Sequence, residues 1–365
     1  PEGGRRSSAG CGCRQTSRLE DHLTIHPSAF LRTAILATGA ALSADIAVAA
    51  TTDNFTLFGE VTNSRVHDRD SLRNLPAANR NVGADVYTGA TLWDVLNDAG
   101  LSHDPAVHND LLSRVVVATG ADGYKATFSL GEIHPNFGGA GQPHLVAYDI
   151  NHEPLTFNGF ARMVSPDDNR RGRFVSNLAS IKVIDTAPGA LTLLGGISDA
   201  FTVSGEFKQQ GTVTAADFAH FDQVVREVTY FSGPNQVTNT FTGVGLWDFL
   251  TDRGMATDNL LHKALLVTGS DGYQVAFALG ELSPSFGDPA ELAMIALLDG
   301  DDGFARLVLP GDHRGGRFVS NIVDMKLIDV TAMVAPVPLP AGAVLALTGI
   351  GALFGLGGLR RRKRA

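Results

Sequence analysis

Five short motifs occur twice in this 365-residue chain, in one order and at nearly constant spacing. Phe55-Thr-Leu-Phe-Gly59-Glu60 returns as Phe201-Thr-Val-Ser-Gly205-Glu206. Tyr87-Thr-Gly-Ala-Thr-Leu-Trp93-Asp94 returns as Phe241-Thr-Gly-Val-Gly-Leu-Trp247-Asp248. Thr119-Gly-Ala-Asp122-Gly123-Tyr124 returns as Thr268-Gly-Ser-Asp271-Gly272-Tyr273. Ser129-Leu-Gly-Glu132 returns as Ala278-Leu-Gly-Glu281, and Arg170-Arg-Gly-Arg173-Phe-Val-Ser-Asn177 returns as Arg314-Gly-Gly-Arg317-Phe-Val-Ser-Asn321. Self-similarity of this kind means that one structural unit is built twice. The units are expected at 53–187 and 197–332, with 188–196 (PGALTLLGG) as the linker.

Each unit mixes strand and helix patterns. Leu92, Val95, Leu96 and Ala99 fall at helical spacing before Gly100, and Leu246, Phe249 and Leu250 repeat that face before Gly254. Arg114 to Thr119 is a β-branched run that reads as a buried strand. Asp122-Gly123 reads as a turn into an alternating strand. Further strands are expected at Phe55–Val61, Leu145–Ile150, Met294–Leu298, Lys182–Ile184 and Lys326–Ile328. Ser129 and Glu132 fit a capping box that the second copy, with Ala278, half loses. The expectation is an α+β fold in two tandem mixed-sheet copies.

The two ends carry targeting patterns. Residues 1–49 read as leader and signal peptide. The first stretch of about 28 residues is polar and aperiodic, a disordered leader or an over-extended gene start. Arg32 then precedes an apolar run from Ala34 to Ala44, and Ala47 and Ala49 fit the small-x-small cleavage rule. Asp45 weakens that pattern. At the other end, residues 336–365 hold an uncharged stretch, Ala341 to Leu359, followed at once by Arg360–Arg364. A helix of that length spans about 28 Å, close to the hydrocarbon thickness. The basic cluster would stay cytoplasmic and leave the body outside.

Val337, Pro338, Leu339 and Pro340 with Ala341, then a Gly/Ala/Leu helix, then arginines, resemble the VPLPA-type PEP-CTERM sorting signal of Gram-negative bacteria. The resemblance implies the inner membrane and an exosortase-type processing enzyme as partners. It also implies export to the cell surface or matrix, where a polysaccharide or protein would be the further partner. A plain single-span anchor is the alternative.

Charge narrows the function. Between the two basic ends lie 19 basic and 34 acidic residues, a net charge of about −15. Such a surface repels nucleic acid and anionic lipid, and nucleic-acid binding is set aside. Both cysteines, Cys11 and Cys13, precede the signal region. The body therefore has no disulfide, thiolate metal site or cysteine nucleophile.

The motif order, Tyr/Phe-Thr-Gly-x-x-Leu-Trp-Asp, Gly-x-Asp-Gly-Tyr, Ser-Leu-x-Glu, then basic-Gly-x-Arg-Phe-Val-x-Asn and a hydrophobic strand, resembles the sulfite-oxidase-type molybdopterin-binding domain. His144 to Leu155 adds that family's strand and turn, from which Met294 onward departs. The resemblance implies molybdenum held by one cysteine thiolate. The matching position falls at about Phe231 in the second copy and within 79–86 in the first, with no cysteine in either and Ser232 as the neighbouring oxygen donor. It also implies an anion or cofactor loop of Arg314, Gly316, Arg317 and Asn321, repeated by Arg170, Arg173 and Asn177. Guanidinium forks match phosphate oxygens. The same arginines would otherwise pair with acids and fix a turn. No catalytic residue and no metal ligand is assigned, and molybdopterin is implied by resemblance only. The expectation is a non-catalytic binding or structural module, with a pterin-retaining oxidoreductase-like protein as the rival. Asp299 to Gly303 has the composition of a Ca²⁺ loop but lacks its glutamate, and reads as an acidic hairpin turn. His103, His108, His134, His144 and His152 lack zinc spacing. Trp93 and Trp247 read as packing residues.

Overall fold

The first and last strands of each half lie side by side and parallel, so each half closes on itself. Asn54–Gly59 pairs with Leu178–Asp185, and Ala200–Gly205 pairs with Ile322–Asp329. The structure, a computed structural model, describes residues 51–141, 143–187, 193–287, 292–298 and 303–333. The fold is mixed α+β, mostly sheet with few helices.

In the first half, a five-stranded sheet runs Arg65–Asp68, Asn54–Gly59, Leu178–Asp185, Arg114–Gly120, Lys125–Ser129. In the second half the order is Gly211–Thr214, Ala200–Gly205, Ile322–Asp329, Lys263–Gly269, Gln274–Ala278, with the same single parallel pair. Each half adds a second, antiparallel sheet. One is built on Ala77–Val82, Asp85–Thr91 and Leu145–Ile150. The other is built on Val224–Ser232, Asn235–Gly245, Met294–Leu297 and Ala305–Val308.

The first strand ends at Gly59, two residues short of the expected Val61, for a steric reason. Gly59 has φ +102° and a Cβ there would stand 2.0 Å from the Val183 carbonyl oxygen. Gly205 repeats this against Leu327 at φ +86°. Only glycine allows the backbone that close. Helix Leu92–Ala99 starts at Thr91, whose hydroxyl accepts from the Asp94 amide, and stops at Gly100 with φ +72°. The expected apolar face is the buried one. Strands Met294–Leu297 and Ala305–Val308 pair antiparallel on either side of the acidic 299–302 segment, which lies outside the described residues. The signal region, Ala47, Ala49, the sorting motif and Ala341–Leu359 lie outside them too. No described helix is long and apolar enough to cross a membrane.

Strand Arg114–Gly120 is buried along its whole length, and so is Lys263–Gly269. Side chains alternate across a strand. Val116 and Ala118 face the core of their own half. Val115 and Val117, with Ile184, meet Ala264, Leu266, Ala276 and Val330 of the second half. The main sheets of the two halves thus cover each other's outer faces. At about 25 cal/mol per Å² of apolar area removed from water, this seam holds the halves as one body.

Candidate functional site between the two halves

Arg173 and Arg317 sit in short 3-10 turns, Arg171–Arg173 and Gly315–Arg317, and both are buried. Arg173 donates through Nε and Nη2 to the two oxygens of Asp168, at 2.8 and 2.5 Å, and through Nη1 to Glu132 Oε2 at 2.6 Å. Arg317 donates in the same way to Asp312, at 2.8 and 2.5 Å, and to Glu281 at 2.6 Å. Each guanidinium therefore joins two carboxylates. Two opposing charges hold each arginine proton above its ordinary value despite burial.

The glutamates come from the repeated Leu-Gly-Glu helix starts. Glu132 completes its capping box. The Ser129 amide donates to Oε1 at 2.8 Å, and the Glu132 amide donates to Ser129 Oγ at 3.0 Å. In the second half only the bond from the Ala278 amide to Glu281 Oε1 remains, at 2.9 Å. The glycine inside each motif faces the arginine of the other half. A Cβ on Gly131 would stand 2.2 Å from Arg317 Cδ, and one on Gly280 would stand 2.6 Å from Arg173 Cδ. Phe137 lies against Gly316, and Phe286 against Gly172, by the same exchange. The Asn169 amide donates to the Phe286 carbonyl at 2.9 Å. The motifs that recur in sequence are thus the two faces of one internal joint.

A cavity of ≈ 660 Å³ opens at this joint, lined by both arginines and their four acid partners. The lining is not symmetric. His144 Nε2 lies 3.5 Å from Glu132 Oε2. Ala293 holds the matching place in the second half, since the amides of Leu92 and Leu246 donate to the carbonyls of His144 and Ala293. The glutamates differ accordingly. Against the penalty of burial, the Arg173 charge and the His144 hydrogen bond hold Glu132 down at about 2. Burial pushes Glu281 up to about 7, with Arg317 pulling the other way and the Glu132 charge adding to the rise. Burial also raises Asp312, which shares one guanidinium with Glu281.

The structure scatters the other residues expected to bind an anion. Asn177 and Asn321 take left-handed backbone, at φ +52° and +49°. Asn177 Oδ1 accepts from the Thr52 amide at 2.8 Å, and Asn321 Oδ1 accepts from the Ser198 amide at 3.1 Å. Both asparagines tie down the chain entering the first strand of their half. Arg170 is exposed. Arg314 donates to the Gly233 carbonyl at 3.1 Å and lies 5.8 Å over the Phe231 ring. Gly316 lies under Phe137. Arg170 aside, these side chains serve the protein's own backbone and rings.

Molybdopterin does not fit the residues present at the expected position. Phe231 stands there, its ring 4.9 Å from the tilted His313 ring with Arg314 over its face. Residues 14–365 contain no thiol. Trp93 meets the His134 ring at 4.3 Å, tilted, and both Trp93 and Trp247 pack on the core of their half. Among the described residues, no three His, Cys, Asp or Glu side chains form a group able to hold a metal ion. The cluster around Glu132 and Glu281 was not found from sequence. Its signal was present, because the Ser/Ala-Leu-Gly-Glu and Arg-x-Gly-Arg motifs recur together.

No family model matches the chain, and no curated protein matches it. Among solved structures, the sulfane dehydrogenase SoxCD from Paracoccus pantotrophus is similar at 13% identity and a TM-score of 0.29. The match covers 71% of this chain and 62% of that one, so the chain spans less than two thirds of its length. This is a weak likeness of fold.

Proposed function

We propose that the chain is an exported surface or matrix protein whose two molybdopterin-binding-like halves act as one non-catalytic binding or structural module. One observation carries the reading. Arg173 and Arg317, which the sequence resemblance offers as an anion clamp, spend their donors on Asp168, Glu132, Asp312 and Glu281 inside the joint. An anion would have to displace buried carboxylates from a charge-assisted fork, at a cost of several kcal/mol, on the order of 3–5. The missing thiolate supports the same reading from the metal side.

The full chain, made in a host that synthesises molybdenum cofactor, is expected to carry no stoichiometric molybdenum by elemental analysis and no pterin by fluorescence after oxidation. One equivalent of either sinks the proposal in favour of an oxidoreductase-like protein.

The localisation rests on the tail. Protein recovered from the native cell surface is expected to lack Arg360–Arg364 by intact mass, cut near Pro338-Leu339-Pro340 by an exosortase-type enzyme. An intact C-terminus on every molecule would leave a plain anchor instead.

A further inference from the structure

Two cavities flank the seam at matching places, and their walls carry opposite charge. The first, of ≈ 530 Å³, brings the 104–114 segment of the first half against Asp271–Gln274 of the second. Its wall holds Asp104, Asp110, Asp185 and Asp271, with Arg114 bound to Asp110 at 2.9 Å. The second, of ≈ 330 Å³, brings Tyr124, Lys125 and Arg170 of the first half against Asn259–His262, Ser283 and Ser285 of the second. No carboxylate lines it. Strand pairing sets the correspondence, since Lys125 opposes Thr119 as Gln274 opposes Thr268. Lys125 thus replaces Gln274. His262, the residue before strand Lys263–Gly269, replaces Ser113, the residue before Arg114–Gly120. The basic wall is therefore a property of these side chains, not of the fold.

From this wall we infer that the second cavity is a binding site for a tetrahedral oxyanion, a sulfate or phosphate group, held by Lys125, Arg170 and His262 with the Ser285 hydroxyl. Lys125 and His262 are half-buried. Among the described residues, neither Lys125 nor Arg170 makes a side-chain hydrogen bond or ion pair. Lys125 and Arg170, gathered at one recess without counter-ions, repel each other, and an anion between them removes that cost. The guanidinium fork and the ammonium donate charge-assisted hydrogen bonds to such oxygens. In a body of net charge about −15, a recess of this sign selects its ligand locally. The site shares no residue with the Arg173–Arg317 cluster.

His262 adds a pH readout. Burial lowers its pKa, the Lys125 and Lys263 charges lower it further, and Asp329 opposes them. It is neutral at neutral pH, and a bound anion favours its proton. Sulfate, which does not titrate in this range, is the probe.

Calorimetric titration of the full chain in neutral detergent at low ionic strength is expected to show saturable one-site sulfate binding. Binding should tighten by about tenfold on going from about pH 8 to about pH 5.5. Lys125→Gln and Arg170→Gln should each weaken it by about tenfold. Arg170 is exposed and Lys125 half-buried, and neither has a side-chain partner among the described residues, so the thermal midpoint without sulfate should stay put and show that the variants fold. Tighter binding of a sugar sulfate ester than of inorganic sulfate assigns the group to a carbohydrate, and equal or weaker binding assigns it to the free ion. Unchanged affinity in the double variant, or no saturable binding of either probe, overturns the proposal.

Discussion

Arg317→Met is expected to lower stability by about 3–5 kcal/mol, because it strands two buried carboxylates on one another. Asp312 spends both oxygens on this guanidinium, and Glu281 spends Oε2. Methionine matches the stem in volume, so the loss is electrostatic rather than a cavity. The control is to remove all the charges together. Arg317→Met with Asp312→Asn and Glu281→Gln should regain most of the loss, since a neutral cluster needs no counter-ion. Gly131→Ala should destabilise as well, by about 1–3 kcal/mol, because its methyl collides with a guanidinium stem fixed at three points. That variant changes the first half and strains an arginine of the second, so it tests the joint itself. Urea midpoints at constant m-value measure all three. Were Arg317 a solvent-facing anion clamp, Met would cost well under 1 kcal/mol, and that result would remove the joint from the account.

The fold was legible where one half determines it alone. Helix Leu92–Ala99, its Gly100 stop, the Asp122-Gly123 turn and strand Leu145–Ile150 follow from local spacing and turn chemistry. The capping box at Ser129 and its half loss at Ala278 follow from two residue identities. What depends on contact between halves was hidden. Val115 and Val117 read as buried, yet nothing nearby in sequence says that Ala264, Leu266 and Ala276 bury them. Gly131 and Arg317 lie 186 positions apart in the chain, and their contact has no periodic signature. The hairpin of Val224–Ser232 with Asn235–Gly245 was also missed as such. Its outward residues, among them Thr229, Thr238 and Thr240, are exposed and polar, which mutes the apolar alternation that marks a strand. Lys125, Arg170 and His262 come from three distant segments, so only packing could assemble them. Of the residues first offered as an anion clamp, Arg170 alone lines that cavity.

Replacing Glu281 by glutamine should remove a pH trend that the wild-type carboxyl imposes. Burial raises the Glu281 pKa from 4.5 to about 7, and the adjacent Glu132 charge adds to the rise. Between those values the folded state holds a proton that the unfolded chain has released. The stabilising contribution is thus fully present below about pH 4.5 and is lost as pH rises through 7. Its size is about 3 kcal/mol, read at 1.36 kcal/mol per unit for a side chain only 9% exposed. Glu132 works in the opposite sense and in another window, since its contribution is present above 4.5 and is lost as pH falls toward 2. His67, His134 and His262, all lowered by burial, oppose Glu281, for they lose stability as pH falls below 6.5. The wild-type profile sums these effects, so the informative quantity is the difference between wild type and Glu281→Gln. Glutamine imitates the protonated acid at every pH. The variant should therefore gain about 3 kcal/mol on wild type between pH 4.5 and 8. A difference that stays flat across that range would mean that Glu281 is ionised at its ordinary value and that the joint carries one more buried charge than it can neutralise.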